Sequence, residues 1–271
     1  MVWRVVFASV LAYSLVASGG FEGASCLDWS PDGTRFLFSH LGQLHLAQAP
    51  DGRDPQPLED TEGVDWGRFH PSGEWIAYAS PVEGGYALWR HPLEEGGERE
   101  QLHFSPAPIV QPAIAPGGER IAFLSNHDGP WDLYLLDLEG EEVRRLTRTP
   151  WPIRTPAFTP DGRSLVFVGL QGENWDLFIL DLERDLLEQI TTDAHFYWGP
   201  RFAPDGEWIA LEAHREGRSD IYVIRRDGSE LTPFTSDRWR NAFPVWSSDG
   251  DKIAYASNRV GGWVFITKGT Y

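Results

Sequence analysis

One short turn sequence occurs six times in this chain at nearly constant spacing, and that repetition constrains the fold more than any other feature. The clearest copy is Thr159-Pro160-Asp161-Gly162, followed by the apolar run Leu165-Val166-Phe167-Val168. The others are Ser30-Pro31-Asp32-Gly33, His70-Pro71-Ser72-Gly73, Ala115-Pro116-Gly117-Gly118, Ala203-Pro204-Asp205-Gly206 and Ser247-Ser248-Asp249-Gly250. Successive copies begin 40, 45, 44, 44 and 44 residues apart. Proline presets the backbone for the first central position of a tight turn, Asp bonds back to its own backbone, and Gly accepts the left-handed conformation that closes a hairpin. Each copy is therefore a predicted hairpin tip between two strands.

An aromatic or aliphatic residue stands two places before each proline position: Trp29, Phe69, Ile114, Phe158, Phe202 and Trp246. A third strand is expected at Trp131-Asp132-Leu133-Tyr134 and at Trp175-Asp176-Leu177-Phe178, and a fourth ends near Leu146-Thr147 and Ile190-Thr191. Four strands per period of this length predict an all-β fold, a six-bladed β-propeller built from four-stranded antiparallel blades over residues 21–271. The recurring Pro-Asp-Gly, then Ile121-Ala122-Phe123 or Ile253-Ala254-Tyr255, then Asp132-Leu133-Tyr134, then Leu146-Thr147, resembles the TolB-like, WD40-like propeller repeat from about Gly23 to Tyr271.

The formal net charge is −17, from 23 Lys and Arg against 40 Asp and Glu. That balance argues against nucleic acid and anionic membrane surfaces, where Lys and Arg neutralise phosphates. A single cysteine, Cys26, excludes an internal disulfide. As a lipid-anchor site it lacks the usual preceding leucine and falls inside a predicted first strand. Residues 1–20 carry one charge, Arg4, then an uncharged stretch ending in Ala17-Ser18-Gly19. Two readings stand for them: a secretory signal peptide too short for a transmembrane span, or a strand that closes the ring beside the incomplete last blade. The first implies a periplasmic or secreted protein with no integral span once mature. The second implies a cytoplasmic one.

Binding residues are expected in the loops that lead into the first strands, next to the central channel, because loops on a rigid scaffold carry function. Six residues there, Trp66, Arg154, Tyr197, Trp198, Trp239 and Arg240, frame the predicted channel mouth. Aromatics and Arg are the residue types of interface anchors; packing between blades is the competing role for the aromatics. No catalytic residue, cofactor or metal is expected, since no nucleophile elbow, phosphate-cradling loop or zinc motif occurs. His40, His127 and His214 fall at matching loops of alternate blades. Residues about 120° apart at roughly 10 Å from an axis lie about 17 Å from each other, too far to share one zinc ion. The recurring Asp132, Asp176 and Asp220 are expected to satisfy backbone groups between neighbouring blades.

The resemblance implies a propeller of the kind found in the periplasmic TolB protein and in prolyl oligopeptidase-type peptidases, here without the α/β or hydrolase domains of those proteins. It implies a non-enzymatic binding or scaffold protein of the cell envelope with a protein partner. Two alternatives remain at this stage: a carbohydrate-binding module that uses the aromatic loops for a glycan, and a hydrolase or lyase acting in the channel.

Overall fold

The computed structural model describes residues 26–269 apart from 50, 51, 194, 216 and 259–263, so the expectations for residues 1–20 lie outside the described residues. The first sheet holds β1 (Leu27–Trp29), β2 (Arg35–His40), β3 (Gln43–Gln48) and β4 (Arg53–Pro57), and the second β5 (Gly67–Phe69), β6 (Trp75–Val82), β7 (Gly85–Pro92) and β8 (Glu100–Ser105). The third holds β9 (Ile109–Ile114), β10 (Arg120–Ser125), β11 (Asp132–Asp137) and β12 (Val143–Arg145), and the fourth β13 (Ile153–Phe158), β14 (Ser164–Gln171), β15 (Asn174–Asp181) and β16 (Leu186–Gln189). The fifth holds β17 (Phe196–Phe202), β18 (Trp208–Arg215), β19 (Arg218–Arg225) and β20 (Thr232–Pro233), and the last β21 (Asn241–Trp246), β22 (Lys252–Ser257) and β23 (Val264–Gly269). Every sheet is an antiparallel meander in sequence order. The described residues therefore complete five four-stranded blades, not the six expected, and a three-stranded sheet, β21 to β23, takes the remaining place.

The turn chemistry is what the repeats encode. In the fourth blade the Gly162 amide donates to the Thr159 carbonyl at 2.9 Å, closing the turn, with Gly162 at φ +69°. Asp161 Oδ1 accepts from the Arg163 amide at 3.0 Å and from the Thr159 hydroxyl. Each turn also leans on its neighbour: a Cβ on Gly206 would stand 3.8 Å from Pro160, and one on Gly250 3.5 Å from Pro204. From the first turn to the sixth, each tip therefore packs on the one before it along one face.

The apolar runs after the turns are continuous because both faces of a second strand are buried. In β14, Leu165 and Phe167 enter the core shared with the third sheet, whereas Val166 and Val168 enter the core shared with the fifth. Analogous cores join the first and second, second and third, and fifth and last sheets. Phe36, Phe38 and Leu27 meet Ala242, Phe243, Val245 and Ala254 of the last sheet, so packing of side chains closes the ring.

The recurring aspartates act both between and within blades: Asp132 Oδ1 accepts from the Thr149 amide, on the chain entering the fourth blade, at 3.3 Å, and Asp220 Oδ1 accepts from Asn241 Nδ2 of the last sheet at 3.2 Å. The Thr191 hydroxyl donates to Asp176 Oδ1 at 3.0 Å while accepting from the Leu177 amide at 2.9 Å, within one blade. Thr147 repeats this between Asp132 and Leu133, and Thr235 between Asp220 and Ile221. In these three blades the motif ties the start of the third strand to the chain leaving the fourth.

Candidate functional site

Strands β1, β5, β9, β13, β17 and β21 contact one another around the ring and form its inner wall. Four of them share a break in pairing where one residue turns left-handed: Gln111 (φ +54°), Thr155 (φ +50°), Gly199 (φ +57°) and Phe243 (φ +54°). The pairing registers slip at these points in all four strands, as a β-bulge requires. The Thr155 amide donates to Gln111 Oε1 at 2.7 Å and the Gly199 amide to Thr155 Oγ1 at 3.3 Å, so successive bulges are bonded across blades. The bulges re-aim the inner-strand side chains and thereby decide which of them reach the channel.

The six expected site residues divide on this geometry. Trp66 is partly buried and lies edge-on to Phe243, with ring centroids 6.5 Å apart. These two side chains come from sheets on either side of the first blade and meet in front of it; Cys26, buried there, takes the place in the repeat that Trp66 has in the second blade. The Arg68 guanidinium stands 5.7 Å from the Trp66 ring. Arg154 lies over the Trp131 ring at 5.1 Å. Trp198 stands edge-on to Trp175 at 5.9 Å. Trp239 carries the Arg238 guanidinium on its face at 4.6 Å, and its amide donates to Asp237 Oδ1 at 3.0 Å. The Arg240 amide donates to Asn258 Oδ1 at 2.9 Å, while its Nε is buried with no hydrogen-bond partner among the described residues. Tyr197 is different: it is 1% exposed in the core between the fourth and fifth sheets, and its hydroxyl donates to Asp193 Oδ2 at 2.7 Å. It supports the mouth from beneath and offers no surface to a partner.

Sequence reasoning missed a buried polar group beside Arg240. Glu212 of β18 accepts from Ser219 Oγ at 2.6 Å and lies 2.6 Å from His214 Nε2. Burial works against the imidazolium, but the Glu212 charge and hydrogen bond outweigh it and raise the His214 pKa, with Arg240 opposing. His214 sits in a strand and not in a loop, and the available signal was Glu212, a lone carboxylate inside the apolar run Ile209-Ala210-Leu211 to Ala213. His127 is bonded to its neighbour Asp128 in a different blade. Among the described residues no group of three or more His, Cys, Asp or Glu is placed to hold a metal ion, and no helix is long and apolar enough to cross a membrane.

A closed ring of antiparallel meanders around a channel, with Trp and Arg at one mouth, defines a β-propeller. Residues 94–269 match the TolB beta propeller domain family, and the chain belongs to that family. No curated protein sequence matches it. Among solved structures it is similar to TolB from Acinetobacter baumannii, at 20% identity and TM-score 0.72 over 93% of this chain and 62% of that one. It thus spans less than two thirds of that TolB. It is also similar to the putative TolB from Agrobacterium tumefaciens, at 21% identity and TM-score 0.72 over 92% and 90% of the two chains. A likeness of the same kind reaches an oligogalacturonate lyase in complex with manganese, at 14% identity and TM-score 0.61 over 93% and 89%. At these identities the likeness is one of fold.

Proposed function

We propose that this propeller is a non-enzymatic binding protein of the cell envelope that docks a protein partner on its channel mouth. The observation that carries the reading is the set of partly buried anchors at the mouth. Trp66, Trp198, Trp239 and Arg240 stand there only partly buried; beside the opposite turns, Trp29 and Trp246 pack on inter-sheet cores and Trp208 lies under the Arg225 guanidinium at 4.6 Å. Partly exposed Trp and Arg beside a rigid ring supply contact area at low ordering cost, as interface anchors do. Membership of the TolB beta propeller family and the signal-like residues 1–20 support an envelope location. The test is fractionation of the native host followed by affinity capture with the purified chain. A mature protein in the envelope fraction that retains one protein at stoichiometric yield is expected. Recovery of the protein starting at Met1 in the cytosol contradicts the envelope reading, and selective retention of glycans in place of protein favours a carbohydrate-binding module.

A further inference from the structure

The inner-wall strands carry four charged side chains, Asp28, Arg68, Arg154 and Arg201. Three arginines against one aspartate stand on these strands, with Asp65 at the mouth, on a chain whose net charge is −17. Two of the arginines have partners: Arg68 acts electrostatically on the buried Asp28, and Arg201 Nη1 donates to the Pro200 carbonyl at 2.8 Å. Arg154 is different. Among the described residues its guanidinium makes no hydrogen bond and no ion pair, and it rests over Trp131 at 5.1 Å. Burial alone lowers its pKa to about 10, with no carboxylate or second cation contributing. It is still charged at neutral pH, and a partly buried cation without a counter-ion carries a desolvation cost. An aromatic face beneath a guanidinium leaves the in-plane N–H donors available. The corresponding positions of the other blades hold Asp65, Val110, Trp198 and Ala242, so the feature occurs once in the ring.

We propose that Arg154, seated on Trp131, is the receptor for a carboxylate group that enters the channel from the mouth. One isolated guanidinium matches one monovalent carboxylate through its two-pronged fork, whereas a phosphate dianion calls for a second cation. A concentrated set of guanidinium groups on the inner strands of an acidic chain favours anions over cations near Arg154. The inference rests on the docking reading only in so far as the carboxylate belongs to a docked chain, and a free carboxylate tests it separately.

Thermal denaturation of the full chain is followed at pH 7 and constant ionic strength in sodium acetate, sodium phosphate or sodium chloride, for the parent, Arg154→Gln and Arg154→Lys. Native-state binding raises Tm with ligand concentration. The expected result is a saturable acetate shift in the parent that is absent in Arg154→Gln and needs about tenfold more acetate in Arg154→Lys, which keeps the charge but not the fork. Equal acetate responses in parent and Arg154→Gln overturn the proposal. An Arg154-dependent phosphate response larger than that of acetate overturns the carboxylate assignment. Should Arg154→Gln fail to fold, an undiminished acetate response in Arg154→Lys is the overturning result.

Discussion

His214 is a residue whose protonation is coupled to the fold. Its pKa is raised above the ordinary 6.5 because the buried Glu212 carboxylate, 2.6 Å away, favours the imidazolium more than burial and Arg240 disfavour it. A raised folded-state pKa stabilises the native protein fully below the unfolded value near 6.5, and that stabilisation disappears as pH rises through the folded pKa. The melting temperature of the parent should therefore carry a component that falls as pH is raised above about 6.5. His214→Gln should remove that component while leaving the remainder of the profile in place. Superimposable parent and variant profiles between pH 6 and 8 contradict the pairing. At the same scale, Tyr197 shows how a residue type can mislead. In sequence it stands between Phe196 and Trp198 in a loop-like aromatic cluster, but its place in β17 turns it into the core, with its hydroxyl on Asp193.

Strands and their ties explain which parts of the architecture were legible in advance. The hairpin tips were readable because Pro, Asp and Gly each have a local backbone reason to be there, and the β-rich runs after them were readable because burial on both faces leaves them uniformly apolar. The inner-strand bulges were not readable. Their left-handed positions hold Gln111, Thr155, Gly199 and Phe243, four residue types with no common propensity, and the bonds between bulges come from neighbouring blades. The meeting of Trp66 with Phe243 depends on that geometry and was invisible for the same reason. The Asp and Thr of the third, fourth and fifth blades were visible as repeats, but their partnership is set by the path of the fourth strand. Thr191 relays the Leu177 amide to Asp176 from a buried site. Thr191→Val keeps the shape and strands both partners, so urea denaturation should show a loss of about 1–3 kcal/mol. Thr191→Ser keeps the hydroxyl and should lose clearly less; equal losses would mean that the relay contributes nothing beyond packing.

At the scale of the whole molecule, the proposed docking places the partner on one face of the ring. Six cores between adjacent sheets hold the wall rigid. The turn face is occupied by its own packing, and the acidic stretch Glu94, Glu95, Glu98 and Glu100 lies at the periphery of the second blade. The mouth holds partly exposed Trp and Arg, so a partner docked there as proposed is expected to lose affinity when a mouth anchor is truncated. Removing a buried aromatic anchor costs about 2 kcal/mol or more, roughly a 30-fold change in Kd. Trp239 is the most informative position, because it is partly buried and its side chain belongs to none of the inter-sheet cores. The most direct measurement is therefore the Kd of the captured partner for parent and Trp239→Ala, taken with the Tm of each. A Kd about 30-fold higher in Trp239→Ala with Tm nearly unchanged is the expected result. An unchanged Kd for Trp239→Ala, together with loss of binding when Glu94, Glu95, Glu98 and Glu100 are neutralised, would contradict it and move the partner off the mouth.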